Sequence, residues 1–461
     1  MTKALATQLA HHICELIHPD QSGFIPGQLI FDPIRLAKTM CDYADFMEED
    51  GAIIALDQEK AYDKIDHKYL IATLNTFNLP QTFINTVSHL YEHAHTTIAI
   101  NSILSSTYLV SRGVHQGDPL SCLLFDLAIE PLACSLRNSQ NLQGFTIPGS
   151  LQKTLVNMYT DDTTIYLSIN NHYNNLKSLL NQWCTVSGTK FNLEKMEVIP
   201  IGTKTHRNHI LTSRQIHPAD KPLRTSVHIA PDGHAVRCLG AWIGNGLDET
   251  TPWAPVLNKI NASLNMWNRS HPTLDGKRLI IQMVVAGMTQ FLTKAQGMPE
   301  SIISTIITIT RNFIWDKKKS PPMSLAHLQL PCSQGRIHLL DLCTRNQAID
   351  ITWINSYLNL SPSCPTWTFV FNAIINCLQP SGIKSTKDLN AFLTLWSPPT
   401  RGPQTRGIPS VMANLLKSIQ KHRVSFAPLK LSKHLKKKLP AWLHLGAPLA
   451  PITAHEMPAY K

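Results

Sequence analysis

The chain has 461 residues, of which 43% are hydrophobic and 16% are charged, so we expect it to fold and to bury a substantial core. Its longest apolar stretch, around residues 279–288, is much shorter than the ~20 residues of a membrane span, which argues against a membrane protein. The N-terminus lacks the form of a signal peptide, and the ten cysteines lack zinc-finger or CxxC spacing, which argues against a secreted disulfide scaffold.

Positive charge is concentrated at the C-terminal end. The formal net charge is +11, and residues 401–461 contain eleven Lys and Arg but only one acid, Glu456. A cationic segment beside a nearly neutral body predicts binding to a polyanion, above all to nucleic acid. A solvated tail without a partner is the alternative interpretation. The lysines of this segment that lie closest together are Lys430, Lys433, Lys436, Lys437 and Lys438.

The first 250 residues contain both helical and strand patterns. Apolar spacing predicts helices within residues 1–50, interrupted by turn-rich stretches at 19–23 and 26–27. The apolar run at 52–56 is typical of a strand that is buried on both faces. Further along the chain we expect helices at 66–94 and 120–136, a hairpin from strands at 154–158 and 163–167, a helix that ends near Ser187, and an irregular loop at 203–235.

The remaining residues read as helical. Periodicity predicts helices over 253–315, a linker at 317–322, a further helical region, and a proline-rich linker near 397–403. The predicted fold class is therefore α+β, with a mixed body up to about residue 245, a helical annex and a basic tail.

Three segments carry side chains that could do chemistry. Asp57 follows the buried strand directly, and the pair Asp161 and Asp162 lies between the two strands of the hairpin. Each signal is weak alone, because such acids also serve as helix caps and turn residues. Together, however, carboxylates at a strand end and a hairpin tip suit hard divalent cations in two-metal phosphoryl transfer.

A glycine-containing loop lies between the acids in sequence. Gly113 and Gly117 permit a tight backbone, and Pro119 fits the first turn of the next helix with Asp118 as its N-cap. Taken alone, this segment is an ordinary entry from a loop into a helix.

The order of these segments resembles the reverse transcriptases of non-LTR (LINE-type) retrotransposons. The matching stretches are DQSGFIPG at 20–27, ALDQEKAYD at 55–63, RGVHQGDPLS at 112–121, LF at 124–125, EPL at 130–132, YTDD at 159–162, SGTKFNLEK at 187–195 and CLG at 238–240. A looser likeness to the thumb and the helical region that follows it comes from NFIW at 312–315, LP at 330–331 and QGR at 334–336.

The resemblance implies a right-hand polymerase fold with four regions. They are a reverse transcriptase domain at 1–245 (partial fingers at 1–50 and palm at about 51–245), a thumb-like region at 246–316, a helical connection at 323–396 and the basic tail at 401–461. It further implies two Mg²⁺ ions, with Mn²⁺ as an alternative, and RNA template, DNA primer or target DNA, and deoxynucleotide triphosphates as partners. By the same resemblance the protein works in the cytoplasm and nucleus.

The resemblance also implies roles for individual residues. Asp57 and Asp161 bind metal, supported by Asp162 and the backbone carbonyl of Gln58. Tyr62 is the aromatic gate that excludes a ribose 2′-hydroxyl. The nucleotide pocket is bordered by Gln116 and Gly117, with Lys195 or Lys190 near the leaving pyrophosphate, and Leu239 and Gly240 grip the primer. For the two lysines an ordinary surface position is an equally good interpretation.

Departures from the family pattern bear on activity. Thr160 stands where the family usually has Ala, and we expect it to be tolerated in a strand. Cys122 replaces a usual Pro, and Gln28 replaces a usual Arg, which removes one cation. The chain begins at a point that resembles the middle of the fingers. We therefore expect a fragment of a longer element protein, or a decayed copy, with reduced or no activity.

Two other functions compete with a working reverse transcriptase. One is a non-catalytic remnant that binds nucleic acid through its palm and basic tail. The other is an RNA-dependent RNA polymerase, which shares the two-metal palm. That second class usually carries a polar residue where Tyr62 stands, so the sequence argues against it. Primer extension distinguishes the polymerase from the remnant.

Overall fold

The computed structural model describes residues 1–92, 94–192, 195–334, 336–361, 363–379, 389–394, 396–400, 408–427, 431–439 and 444. Two compact units make up the chain, Met1–Pro252 and Trp253–Lys461. Helices and strands are mixed in the first unit, and the predicted α+β class is confirmed. Within the described residues, no helix is long and apolar enough to cross a membrane. The finer domain limits drawn from the sequence stay predictions.

The first unit alternates helices with short strands. Its helices are α1 (Thr2–Ala10), α2 (Ile13–Leu16), α3 (Phe31–Met47), α4 (Ala61–Lys64), α5 (His67–Thr76), α6 (Gln81–Glu92), α7 (Ser121–Arg137), α8 (Tyr173–Ser187) and α9 (Lys204–Ser213). Its strands are β1 (Gly51–Leu56), β2 (His95–Thr96), β3 (Ala99–Ile100), β4 (Ile103–Leu104), β5 (Tyr108–Leu109), β6 (Val156–Tyr159), β7 (Asp162–Ser168), β8 (Glu197–Ile201), β9 (His228–Ile229), β10 (Val236–Cys238) and β11 (Ala241–Ile243).

A five-stranded sheet forms the centre of this unit. Its strand order is β6-β7-β1-β8-β9, and all neighbours are antiparallel except β8 and β9. Strand β1 lies in the middle and is buried on both faces, as its continuous apolar run predicts. Ala52, Ile54 and Leu56 point from β1 into one core together with buried residues of α5, α7 and α8. Helix α3 packs against β6 and β8.

Most predicted elements of the first unit are present. The strand at 52–56 is β1, the predicted hairpin is β6 and β7, and the helix that ends near Ser187 is α8. The irregular loop predicted at 203–235 is wrong in part, because residues 204–213 form α9. Polar contacts hold this helix: Thr203 caps its N-terminus, and Arg207 donates to Asp45 at 2.7 Å and to Asp232 at 2.9 Å.

The predicted N-cap of α7 is also wrong. Helix α7 begins at Ser121, with Leu120 at the N-cap position. The Asp118 carboxylate instead accepts from the Leu120 backbone N–H at 2.8 Å, in a turn that precedes the helix. Pro119 therefore belongs to the turn, and the helix starts later than the proline suggested.

The second unit is helical where it is described. Its helices are α10 (Ala254–Asn268), α11 (Leu274–Ile281), α12 (Gly287–Gln296), α13 (Glu300–Ile314), α14 (Leu325–Gln329), α15 (Leu342–Tyr357), α16 (Thr366–Cys377), α17 (Ser410–Lys421) and α18 (Lys433–Lys438), with a π-helical turn at Gln282–Ala286. Helices over 253–315 agree with the prediction. Buried aromatic rings contribute to its core, for example Trp353 edge-on to Trp367.

Candidate active site

The pairing of β1 with β7 brings Asp57 and the acidic hairpin together. Leu56 pairs with Thr163, so the residues that follow β1 lie beside the start of β7. Asp57 and Asp162 consequently line one cleft of about 390 Å³. Asp161 lies in the two-residue turn that joins β6 to β7, directly before Asp162.

Electrostatic repulsion marks this group of acids. Burial, and after it the negative charges of Asp161 and Asp57, together raise the pKa of the Asp162 carboxyl to about 6. One cation partly offsets the repulsion, because the Lys195 ammonium lies 3.1 Å from the Asp57 carboxylate. Crowded oxygen ligands of this kind attract a hard cation.

The arrangement leaves room for ligands other than protein. Within the described residues, no three Asp, Glu, His or Cys side chains form a group that could hold an ion by themselves. Mg²⁺ usually binds through one or two carboxylates plus water and substrate phosphates, which fits such an open group. Gln58 lies opposite Phe191 in a short antiparallel bridge. The two hydrogen bonds of this bridge are made by its neighbours: the Asp57 backbone carbonyl accepts from the Asn192 N–H, and the Glu59 backbone N–H donates to the Lys190 carbonyl. The backbone carbonyl of Gln58 takes no part in these two bonds.

The hairpin tip is held by the segment that contains Gln21. Ser22 and Asp20 exchange backbone hydrogen bonds with Met158 of β6, and the Gln21 side chain accepts from the Thr160 backbone N–H at 3.2 Å. Gly23 lies so close that an added Cβ would come 2.5 Å from the Thr160 nitrogen. The DQSG stretch therefore supports the acidic turn from outside the sheet.

Thr160 differs from its prediction. It lies in the turn rather than in a strand, and its φ of 54° falls in the left-handed region, which is costly for a β-branched residue. Its hydroxyl lies 2.9 Å from an oxygen of Asp161 and donates to it, so the side chain contacts one of the candidate metal ligands. The explanation that a strand tolerates Thr here is wrong.

Tyr62 presents a fixed ring near the acids. The ring stacks on Phe125 of α7, with centroids 4.7 Å apart and planes 10° from parallel. Burial, and after it the neighbouring Cys122 thiol, raises the pKa of the Tyr62 phenol, and Asp161 contributes in the same direction. The ring is therefore a half-buried flat wall beside the acidic turn.

The glycine loop docks on the segment that carries Tyr62. Val114 donates its backbone N–H to the Tyr62 carbonyl at 2.7 Å. Gly113 has a φ of 88°, and a Cβ there would lie 2.7 Å from the Tyr62 carbonyl oxygen, so this position requires glycine. Gln116 reaches Asp63 at 3.4 Å, and Gly117 is exposed with open space above it.

The other predicted site residues fall in separate places. Lys190 pairs with Glu59 at 3.6 Å rather than with Asp57. Leu239 and Gly240 form the tight turn between β10 and β11, with φ values of 49° and 81°. In the second unit, α18 carries Lys433, Lys436, Lys437 and Lys438, and Ser432 caps its N-terminus. Lys430 lies outside the described residues.

A buried acid beneath the site was missed from the sequence. Asp126 is completely buried in α7, and neither of its carboxyl oxygens has a hydrogen-bond partner among the described residues. Burial raises its pKa well above the usual range, with Glu130 adding to the effect. The charge of Asp126 in turn raises the pKa of Tyr62 and Tyr159. The sequence signal that could have revealed Asp126 is an acidic residue on the apolar face of a predicted helix.

Comparison with known proteins gives a family for most of this unit. The family described as reverse transcriptase (RNA-dependent DNA polymerase) matches residues 1–239. The chain is 25% identical over 370 residues to a Transposon TX1 uncharacterized 149 kDa protein from Xenopus laevis, and covers 27% of it. It is 26% identical over 183 residues to a retrovirus-related Pol polyprotein from the type-2 retrotransposable element R2DM of Drosophila melanogaster, and covers 17% of it.

These matches cover 80% and 40% of this chain. Because they cover 27% and 17% of the relatives, the chain spans less than a third of the length of either relative. A likeness to telomerase from Candida tropicalis, in complex with a TWJ fragment of telomeric RNA, has 11% identity and a TM-score of 0.35, too low to support an argument. It covers 80% of this chain and 56% of that one. The predicted resemblance to non-LTR retrotransposon enzymes is confirmed.

Substituting Gly23 tests the support of the acidic turn. We expect Gly23→Ala to lower the free energy of unfolding by about 1–3 kcal/mol, because the new methyl group meets the Thr160 backbone. Urea unfolding measures the change. Gly287→Ala is the matched control, since a Cβ there meets nothing within 4 Å. Equal stability of Gly23→Ala and the unsubstituted chain would show that the tip does not depend on this close approach.

Asp126 should make stability depend on pH. Burial raises the pKa of Asp126 in the folded chain above its value in the unfolded chain. The contribution of the neutral acid to protein stability is therefore complete below the unfolded-state pKa and is lost as the pH rises towards the folded-state pKa. Asp126→Asn stays neutral, and we expect it to melt at a higher temperature than the unsubstituted chain near pH 8 but not at about pH 3, where the carboxyl is mostly neutral in both states.

Melting curves across this pH range check the prediction. Glu130 is present in both proteins, so the difference between them reports Asp126 together with its charge coupling to Glu130. The exposed residue change Glu15→Gln is the control and should show no such rise. A melting difference that is independent of pH would contradict the assignment of a buried neutral acid.

Proposed function

The chain belongs to the reverse transcriptase family, and on this basis we propose that it is an RNA-directed DNA polymerase. It adds deoxynucleotides to the 3′-hydroxyl of a DNA primer or target DNA on an RNA template. The observation that carries the proposal is the cleft in which Asp57 and Asp162 meet, with Asp161 in the adjoining turn. Mutual repulsion within this group supports a role in cation binding.

Members of this family generally use divalent metal ions. In our proposal Asp57, Asp161 and Asp162, with the backbone carbonyl of Gln58, hold two Mg²⁺ or Mn²⁺ ions. The fit rests on hard oxygen donors and on the repulsion that a cation would relieve. Bound ions would supply charge stabilisation for the phosphoryl group that is transferred.

The protein's own side chains position the nucleotide. The Tyr62 ring, fixed by its stack on Phe125, excludes a 2′-hydroxyl by its bulk. Gln116 and Gly117 border the nucleotide on the exposed side of the glycine loop. Lys195 faces Asp57 and is the better placed lysine for the leaving pyrophosphate, because Lys190 pairs with Glu59 instead.

Nucleic acid is held at two further places in this proposal. The turn formed by Leu239 and Gly240 contacts the primer end. The lysines of α18, three of which fill its last turn, bind phosphates without sequence preference, and Lys430 extends the same charge in sequence. Their spacing and the capped helix support this assignment.

Primer extension by the full chain tests the proposal. We expect slow but measurable addition of deoxynucleotides, and Asp57→Asn or Asp161→Asn should reduce it by about 1000-fold, as a loss of several kcal/mol of charge stabilisation requires. Glu15→Gln, an exposed carboxylate change elsewhere in the same unit, should extend as the unsubstituted chain does. Absence of extension, or extension that survives both substitutions, would contradict the proposal.

The choice of sugar is tested at Tyr62. We expect Tyr62→Ala to increase the use of ribonucleotides relative to deoxynucleotides by about 10-fold or more, because removal of the ring opens space for the 2′-hydroxyl. Tyr62→Phe is the matched control and should keep the discrimination, since the stacked ring and not the phenol hydroxyl fills the space. The kcat/KM ratio for the two nucleotides measures the effect. An unchanged ratio in Tyr62→Ala would rule out the gate.

A further inference from the structure

The hairpin of β10 and β11 brings a cation to the acidic cleft. Arg237 lies on β10, and its side chain lines the same cleft as Asp57, Asp162 and Lys195. The neighbouring Leu239 and Gly240 match the family's primer-gripping turn, and that resemblance implies no role for Arg237.

The position of this hairpin is fixed from two sides. Both turn residues, Leu239 and Gly240, have positive φ, which is the geometry of a tight two-residue turn that matches the strand twist. Cys238, the last residue of β10, lies directly before this turn, and its buried thiol contacts the Thr164 hydroxyl of β7 at 3.7 Å. Because β7 begins with Asp162, the strand that the hairpin contacts also carries one acid of the cleft.

The guanidinium of Arg237 is held by an aromatic ring. Arg237 pairs directly with Trp242 across the hairpin, and its guanidinium carbon lies 5.9 Å from the centre of the Trp242 ring. A cation over the face of a tryptophan ring is stabilised by roughly 0.5–1 kcal/mol at an exposed site. This contact restricts the side chain without neutralising its charge.

Arg237 is available to bind an anion, because other charged residues of the cleft form ion pairs that do not include it. Lys195 pairs with Asp57 at 3.1 Å, and Glu197 pairs with His228. Within the described residues, Arg237 has no carboxylate within ion-pair distance, although it shares the cleft with three acids. An exposed guanidinium beside a phosphoryl-transfer site, oriented but not neutralised, fits a phosphate, because its N–H groups match phosphate oxygens in pairs.

We propose that Arg237, oriented by Trp242, binds a backbone phosphate of the nucleic-acid strand that is to be extended and so positions its 3′-end at Asp57 and Asp162. This inference rests on the proposed function and adds a strand-binding residue to it. A strand is favoured over the incoming nucleotide, since Arg237 lies on the hairpin whose turn is proposed to contact the primer end. Of the proposed nucleotide-binding residues, Lys195 lines the cleft but Tyr62 and Gln116 do not.

Binding without catalysis tests the inference. The full chain is titrated onto a fluorescent DNA primer annealed to an RNA template, in the presence of a metal chelator and at several salt concentrations, and anisotropy gives the Kd. We expect Arg237→Gln to weaken binding by about 10-fold, as loss of one charge-assisted contact implies. The slope of log K against log salt should fall by about 0.7–0.9, the value for one phosphate contact.

Two variants separate charge from orientation. Arg237→Lys keeps the charge and should keep the slope, while Trp242→Leu should weaken binding through loss of the ring contact. Arg224→Gln is the matched control, because Arg224 is also exposed in the same unit, and it should change neither quantity. Melting temperatures confirm that each variant is folded.

The outcomes separate this inference from the polymerase proposal. If the unsubstituted chain extends primers but Arg237→Gln leaves the Kd and the slope unchanged, Arg237 does not bind the strand and the polymerase proposal stands. If Arg237→Gln lowers affinity and slope in a chain that does not extend primers, the phosphate contact stands and the polymerase proposal fails. If the variant changes only the KM for the nucleotide, the phosphate belongs to the triphosphate and the strand assignment is overturned.

Discussion

The pairing of β1 with β7 is the constraint on which the site depends. Burial of β1 on both faces requires apolar residues along the strand, so a carboxylate can follow only at its end, where Asp57 stands. The register that places Leu56 opposite Thr163 then brings Asp57 to the start of β7, beside Asp162. A slip by one residue would turn Ala52, Ile54 and Leu56 out of their core, so the packing that stabilises the sheet also fixes the acids.

The protein handles its buried acids in two different ways. At the cleft the carboxylates remain near one another and near solvent, and their repulsion is partly offset by Lys195. Beneath it, neither carboxyl oxygen of Asp126 has a hydrogen-bond partner in the part of the chain that the structure describes, and burial favours the neutral form of this acid. A charged Asp126 would disfavour further negative charge beside Tyr62 and Tyr159, so a neutral acid there is compatible with an anion-rich reaction above it.

Local patterns could be predicted from the sequence, whereas contacts between distant segments could not. The continuous apolar run gave β1, and the paired strand patterns gave the hairpin of β6 and β7. Helix α9 was missed because polar groups hold it: Arg207 is buried through ion pairs, which no apolar periodicity reveals. The contact between Gln21 and Thr160, and the isolation of Asp126, depend on tertiary packing and leave no pattern in neighbouring residues.

Two tight turns at the site carry bulky residues in a conformation that usually favours glycine. Thr160 and Leu239 both have positive φ, and each such residue costs on the order of 1–3 kcal/mol. Contacts with other segments stabilise both turns. Gln21 and Gly23 pack against the turn that contains Thr160, and the contact of Cys238 with Thr164 holds the turn that contains Leu239. Both anchors act on residues that flank Asp161 and Asp162. The local cost is therefore offset by packing that also fixes the acids, and the geometry of the site depends on segments that carry no catalytic group.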